Sequence, residues 1–208
     1  VQVKSEGLSP LDAALAFTRQ SPLADFTSHA LDNAKAEGLA QITFALDLPI
    51  DHLEQSKVSG HVGFQNSALQ LNRHTPNLKQ LQGSVQFHEQ GFNLDNVRGL
   101  GLGGAFQATG GMQSVQQGVQ VRVQGAVTAQ GLQQDTALPV VQQVAKHAQG
   151  GARYSAEITA HHGSQHVLIR SDLRGLSLQL PAPLGKHEDE SIELAVAHTV
   201  LPQDIQEL

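Results

Sequence analysis

From residue 38 onward, apolar and polar residues alternate with a period of two over most of the chain. The clearest example is the run 119–124, in which three valines alternate with Gln, Arg and Gln. This period is typical of a β-strand with one apolar and one polar face. Gly, Asn or Pro separates most of these runs, which favours antiparallel strands joined by short turns. Strands are predicted at residues 42–48, 58–64, 69–71, 81–87, 92–95, 105–109, 119–124, 153–160, 165–171, 176–180 and 192–199.

A helix is predicted near the start of the chain. Ser9 is the expected N-cap, Pro10 occupies the first turn, and apolar residues from Leu11 onward fall on one face. The helix should end before the Ser-Pro pair at residues 21–22. Residues 26–37 have a weaker pattern that allows a short helical turn before the first strand.

A second helix is predicted in the middle of the strands. Thr136 is a plausible cap, Pro139 lies in the first turn, and the Gly150-Gly151 pair should end the helix. This pattern divides the chain into four segments: an N-terminal helical segment at 1–37, an antiparallel β-meander at 38–135, a helix at 136–151, and continuing strands of the same sheet at 152–208.

The expected fold is α+β and mostly β: an extended, curved antiparallel sheet with two flanking helices. An antiparallel sheet with one face in water produces the observed alternation. Two helices with modest apolar stripes cannot cover about a dozen strands of some five residues each. The sheet must therefore close on itself as a sandwich or barrel, or curve and leave an apolar lining available to a ligand.

Composition and charge exclude several classes of function. Thirteen Lys and Arg against nineteen Asp and Glu give a formal net charge of −6, which argues against a nucleic-acid-binding protein. The absence of cysteine removes thiolate metal sites and thiol catalysis. No signal peptide is recognisable, and no apolar run reaches the roughly 18 residues of a membrane-spanning helix. Because the 208 residues begin without Met, we expect a piece of a longer protein.

Catalytic and metal-binding motifs are weak in this sequence. The G-x-G-x-x-G match at 99–104 precedes a predicted strand rather than a helix, so a tight turn or bulge is expected instead of a nucleotide site. His161, His162 and His166 are expected in a surface loop, because no carboxylate lies nearby to support metal-bound imidazoles. No motif for nucleophilic catalysis is present. We therefore predict no enzyme, no metal and no cofactor, although a carboxylate pair formed by folding stays open.

Several segments resemble a known family. Residues 81–110, in which L-x-G-x-V-x-F is followed by a second strand and a Gly-Gly step, are similar to the repeating unit of the AsmA-like proteins. Residues 9–23, 46–50 with 57–60, and 178–184 resemble the YhdP branch in particular. The resemblance implies the periplasmic part of a long protein of Gram-negative bacteria that is anchored in the inner membrane. It further implies an extended β-sheet with a hydrophobic groove for phospholipids, and it implies no catalytic residue.

The expected functional surface is the apolar side of the alternating strands. The expected partners are phospholipid acyl chains, neighbouring repeats of the same longer chain and a membrane reached through another region. Edge-to-edge self-association is a further expectation. The alternative is a structural or scaffolding module of the envelope that binds no lipid. The predicted lipid-binding residues are Ile42, Phe44, Leu46, Leu48, Val85, Phe87, Phe92, Leu94, Phe106, Val119, Val121, Val123, Leu178 and Leu180.

Overall fold

The computed structural model describes residues 2–20, 31–47, 57–114, 116–161, 164–181 and 185–200. Within these ranges the chain forms one open, curved antiparallel sheet of eleven strands with three short helices. This confirms the predicted fold class and adds a third helix. The strands are β1 (Gln2–Pro10), β2 (Lys35–Asp47), β3 (Lys57–Gln70), β4 (Leu78–His88), β5 (Gly91–Gly101), β6 (Gly104–Met112), β7 (Val119–Thr128), β8 (Ala148–His161), β9 (Ser164–Ser171), β10 (Leu176–Leu178) and β11 (Leu194–Val200).

Sheet order follows chain order almost throughout. Strands β1 to β9 lie side by side in sequence, and β11 follows β9. The short β10 pairs with the first residues of β8 instead. Because consecutive strands are neighbours, most pairings are local hairpins, as the repeated turn signals predict.

Helix α1 (Leu11–Arg19) begins directly after β1. Its N-cap is Pro10, with no side-chain cap, so the prediction that Ser9 caps the helix is wrong. Ser9 instead belongs to β1, where it pairs with Ala40 of β2. The helix ends before residue 21 as predicted, and the Arg19 side chain donates hydrogen bonds to the backbone carbonyls of Leu31 and Ala34.

The first third of the chain contains more strand than the pattern predicts. Strand β1 was not predicted. Part of the expected helical turn at 26–37 lies outside the described residues; within the rest, residues 31–33 form a turn and β2 already begins at Lys35.

Residues 57–70 form one strand rather than the two that were predicted. The register with the neighbouring strand shifts between Gln65 and Ser67, and Asn66 has a φ of 58°. The Ser67 hydroxyl donates to the Leu39 carbonyl at 2.6 Å and accepts from the Gln65 amide. A bulge held in this way changes the alternation without ending the strand.

The predicted helix at 136–151 is shorter than expected. Helix α2 (Ala129–Gln134) precedes it, capped by the Thr128 hydroxyl, and α3 (Pro139–Ala145) has Leu138 rather than Thr136 as its N-cap. The chain returns to strand at Ala148, so the glycine pair lies inside β8. A Cβ on Gly150 would lie 2.2 Å from the Gly175 carbonyl oxygen. These glycines therefore allow a close approach of the segment before β10 rather than ending a helix.

The Gly-rich segment at 99–104 contains the turn between β5 and β6, as predicted, and the turn itself consists of Leu102 and Gly103. Leu102 and Gly103 both have positive φ, at 55° and 80°. Two positive φ values are the signature of a tight two-residue hairpin loop.

Within the described ranges, two small cores stabilise the sheet. The central core contains Leu81, Val97, Phe106 and Ala108, with side chains of β3, β4, β5 and β7 packed around it. The second core joins α2, β8 and β10 through Ala129, Ala148, Ala152 and Leu176.

Candidate functional site

Strand register brings the predicted apolar residues onto one face of the sheet. Residues that oppose each other on neighbouring strands share a face. One row across the strands contains Phe44, Gly60, Phe87, Phe92, Met112 and Val119. The adjacent row contains Ile42, Val62, Val85, Leu94, Gly110, Val121, Ile158 and Val167. We call the side of the sheet that carries these rows the apolar face.

Most of the predicted lining residues lie on the apolar face. Leu46 extends it next to Val58, and Val123 extends it next to Ala108. The members among the predicted residues are Ile42, Phe44, Leu46, Val85, Phe87, Phe92, Leu94, Phe106, Val119, Val121 and Val123.

Three predicted residues are not part of these rows. Leu48 lies outside the described residues. Leu178 lies in β10 and packs against the second core. Leu180 follows the end of β10 and is half-buried.

The apolar face is enclosed in its centre and partly exposed elsewhere. Phe106 is only 7% exposed and belongs to the central core. Four other lining residues pack against that core while remaining half-buried: Val85, Leu94, Val121 and Val123. Gly110 is exposed, the remaining described residues of the rows stay half-buried outside the core, and on β11 the exposure of Val196 rises to 45%. Apolar surface therefore stays accessible over much of the face.

Helix α1 supplies an apolar side chain that the sequence analysis did not place in the site. The rings of Phe17 and Phe44 meet edge to face, with centroids 5.5 Å apart and an interplanar angle of 78°. Phe17 is 51% exposed, while Leu11 and Leu15 on the same helix are buried. The helix thus covers part of the apolar face at β2 and leaves one aromatic ring at its margin.

Tyr154 is the second residue that sequence reasoning missed. It lies on the apolar face of β8, opposite Gly125 of β7 and two residues before Ala156. Burial raises the pKa of Tyr154 above its ordinary value. The alternation along β8 is the signal that would have placed this residue on the apolar face.

The opposite face of the sheet is polar. Gln82, Arg98, Gln107 and Gln124 form one row across four strands, and the Arg98 guanidinium donates two hydrogen bonds to the Gln82 side chain. A depression of about 450 Å³ lies around this row, where these polar side chains interrupt a lining that also includes Leu100, Ala105 and Phe106. Because an acyl chain needs an apolar lining, we place the candidate site on the other face.

The prediction of a surface loop is wrong for His161, which ends β8, and for His166, which lies in β9, whereas His162 lies outside the described residues. His161 Nε2 lies 2.8 Å from the Gln116 carbonyl oxygen, and His166 Nδ1 lies 3.0 Å from the Thr199 hydroxyl. Across the described ranges, no group of three His, Asp or Glu side chains could hold a metal ion.

An open antiparallel sheet with one extended apolar face defines a groove-forming β protein. The YhdP family matches residues 1–207, and the chain belongs to this family. It is a family of Gram-negative envelope proteins of the lipid-transport type and is not a known enzyme family. No curated protein and no solved structure gives a significant match. Among the described helices, none has the length and apolar character needed to cross a membrane.

Proposed function

We propose that this chain carries phospholipid between the inner and outer membranes, with acyl chains on the apolar face and head groups in water. The observation that carries the proposal is the pair of apolar rows, which continue from strand to strand and remain partly exposed. The proposed mechanism is physical, without a chemical step, and so requires no catalytic group.

The dimensions of the rows are suitable for this task. The second row crosses eight neighbouring strands, β2 to β9, and seven steps of about 4.8 Å make it about 34 Å long. A bilayer core of about 30 Å contains two leaflets, so one extended acyl chain needs about 15 Å. A row of this length can hold a whole acyl chain at successive positions. Transfer from water contributes about 0.8 kcal/mol per buried methylene and has no directional requirement, which favours sliding.

The proposal also includes the cellular location of the protein. We place the chain in the periplasm as part of an inner-membrane-anchored protein, supporting outer-membrane homeostasis. Family membership supports this setting. Neighbouring repeats of a longer chain would extend the groove at the sheet edges, because an edge strand presents backbone groups that can pair with a further strand.

The test compares two substitutions on one strand. Phe87 lies on the apolar face of β4, whereas Gln86 lies on the polar face. Phe87→Asp places a charge on the lining, and Gln86→Asp adds the same charge on the opposite side. With phosphatidylethanolamine that carries a photoreactive acyl chain, Phe87→Asp should lower crosslinking at least tenfold, whereas Gln86→Asp should crosslink like the parent chain.

A second pair of substitutions controls for unfolding of the variant. Val196 is 45% exposed on the apolar face of β11, and Ala197 is exposed on the other face. Val196→Asp should therefore remain folded and still reduce crosslinking relative to Ala197→Asp, with circular dichroism and thermal unfolding as controls. Equal crosslinking in both pairs would contradict lipid binding by this face.

A scaffolding module that binds no lipid is the alternative function. The central core around Leu81 and Phe106 favours it, because these side chains bury their apolar surface within the protein itself. The two functions differ in what purifies with the chain. Extraction and mass spectrometry should find phospholipid in stoichiometric amounts after mild purification if the face is a lipid site, and none if it is a scaffold.

A further inference from the structure

Tyr154 brings a polar atom to an otherwise apolar part of the apolar face. It is the only tyrosine in the chain. Ala156 and Ile158, two and four residues further along β8, continue the same face. On the other side of Tyr154, Ala152 belongs to the second core. Tyr154 therefore lies between the second core on one side and the buried Ala156 on the other, and the half-buried lining continues from Ile158.

The packing at Gly125 explains how the ring is held. A Cβ built on Gly125 would lie 2.9 Å from Cε1 and 3.0 Å from Cζ of Tyr154. The same atom would lie 3.0 Å from Cβ of Phe106 on the other neighbouring strand. The tyrosine ring thus leans from β8 onto Gly125, and the carbon that bears the hydroxyl lies over β7. The absence of a side chain at Gly125 leaves the space that the ring occupies.

The hydroxyl is both partly desolvated and available. Burial raises the pKa of Tyr154, and desolvation is the cause. Among the described residues, none forms a hydrogen bond with this hydroxyl. No fully buried side-chain polar atom in the described part of the chain lacks a partner, so the Tyr154 oxygen keeps some accessible surface. A partly desolvated hydroxyl benefits from a directed partner more than a fully hydrated one does.

We propose that the Tyr154 hydroxyl donates a hydrogen bond to an acyl-ester carbonyl oxygen of a phospholipid bound on the apolar face. This inference rests on the proposed function and adds a positioning residue to it. The ester carbonyl is the first hydrogen-bond acceptor beyond the acyl chain. Because the second core closes the face beyond Ala152, the acyl chain extends from Tyr154 toward Ile158, where it meets the second row. Tyr154 thereby fixes which end of the lipid lies at this position.

The test uses two lipids that differ only in the linkage. One is phosphatidylethanolamine with ester-linked chains, and the other carries ether-linked chains of equal length and has no carbonyl. Tyr154→Phe keeps the ring on Gly125 and removes the hydroxyl. We expect this variant to bind the ester lipid two- to tenfold more weakly, the range for one neutral hydrogen bond. Its affinity for the ether lipid should equal that of the parent chain.

Thr159→Val is the matched control. Thr159 lies on the same strand but opposite Gln120, on the polar face, so loss of its hydroxyl should leave binding of both lipids unchanged. Equal affinity of Tyr154→Phe and the parent chain for the ester lipid would overturn the inference, and so would equal losses for both lipids, which point to the phosphate as acceptor. In either case the parent chain still binds lipid and the proposed function stands. If the parent chain binds neither lipid, both proposals fail.

Discussion

Truncation of Leu81 and of Val196 to alanine compares the enclosed and the open parts of the apolar face. Leu81 is 1% exposed and lies in the central core, whereas Val196 is 45% exposed on β11. If the face is open as described, the two substitutions should differ strongly in their effect on the free energy of unfolding. In a closed sandwich, both side chains would be covered and the difference would be small.

The expected magnitudes follow from burial. Leu81→Ala removes a side chain that is almost fully buried, and such truncations cost about 3–5 kcal/mol, including the cavity that remains. Val196→Ala removes two methyl groups, worth about 1.6 kcal/mol if fully buried at about 0.8 kcal/mol for each. With almost half of the side chain exposed, the expected loss is about 0.9 kcal/mol. The ratio of the two losses should therefore be at least three.

Urea unfolding followed by circular dichroism measures both losses. The slope of the free energy against urea should stay constant, because neither change alters the surface exposed on unfolding by much. A total stability of about 5–15 kcal/mol leaves both variants measurable in most of that range. Losses of equal size would refute the division into a closed centre and an open margin. A loss of 3 kcal/mol or more at Val196 would show that a further layer covers β11 in solution.

Three further outcomes are expected. Burial raises the pKa of Tyr154 above 10.0, so the contribution of Tyr154 to the free energy of unfolding is fully present below pH 10 and is lost as the pH rises through the pKa of the folded state. Ultraviolet titration should give a higher pKa in the folded chain than in urea, and the stability of Tyr154→Phe should fall less steeply at alkaline pH. Lys186→Met removes the ammonium that donates to the Leu176 and His187 carbonyls, each at 2.8 Å; we expect a loss of about 1–3 kcal/mol and faster amide exchange in β10 by mass spectrometry. Thr128→Val removes the N-cap of α2 and should lower stability by about 1 kcal/mol in thermal unfolding; an unchanged melting temperature would contradict a role for the cap.

The alternating pattern predicts strands well where one face is continuously apolar, as in β7. It underestimates their length where a bulge changes the alternation. Strand β5 was predicted at residues 92–95, yet it runs from Gly91 to Gly101. Asn96, with a φ of 50°, interrupts the register between Leu94 and Val97. One inserted residue moves every later side chain to the opposite face of the sheet. A strand predicted from a fixed period of two therefore ends at the bulge, although the real strand continues.

Strand β1 could not be recognised from its own residues. Two positions that lie on the apolar face are Ser5, opposite Phe44, and Gly7, opposite Ile42. Neither side chain gives an apolar signal, so the period of two is missing from the sequence. The strand is recognisable only from its pairing with β2, which is a contact between distant parts of the chain.

The apolar face was predictable in membership but not in accessibility. Alternation assigned Phe87 and Phe106 to the same side, and the register agrees. Phe106 is enclosed by the central core while Phe87 stays half-buried, a difference that depends on contacts between strands and not on the alternation. The positions of Phe17 and Tyr154 depend on packing between elements for the same reason.

The open path of the sheet has a consequence for how such proteins change in size. Within the described residues, the path ends at β1 on one side and at β11 on the other. A barrel that acquires a hairpin must widen, because its circumference increases with the number of strands. A sheet with two free ends instead becomes longer by about 4.8 Å for each added strand, while its cross-section is unchanged. Gain or loss of hairpins can therefore change the length of such a sheet without altering its cross-section.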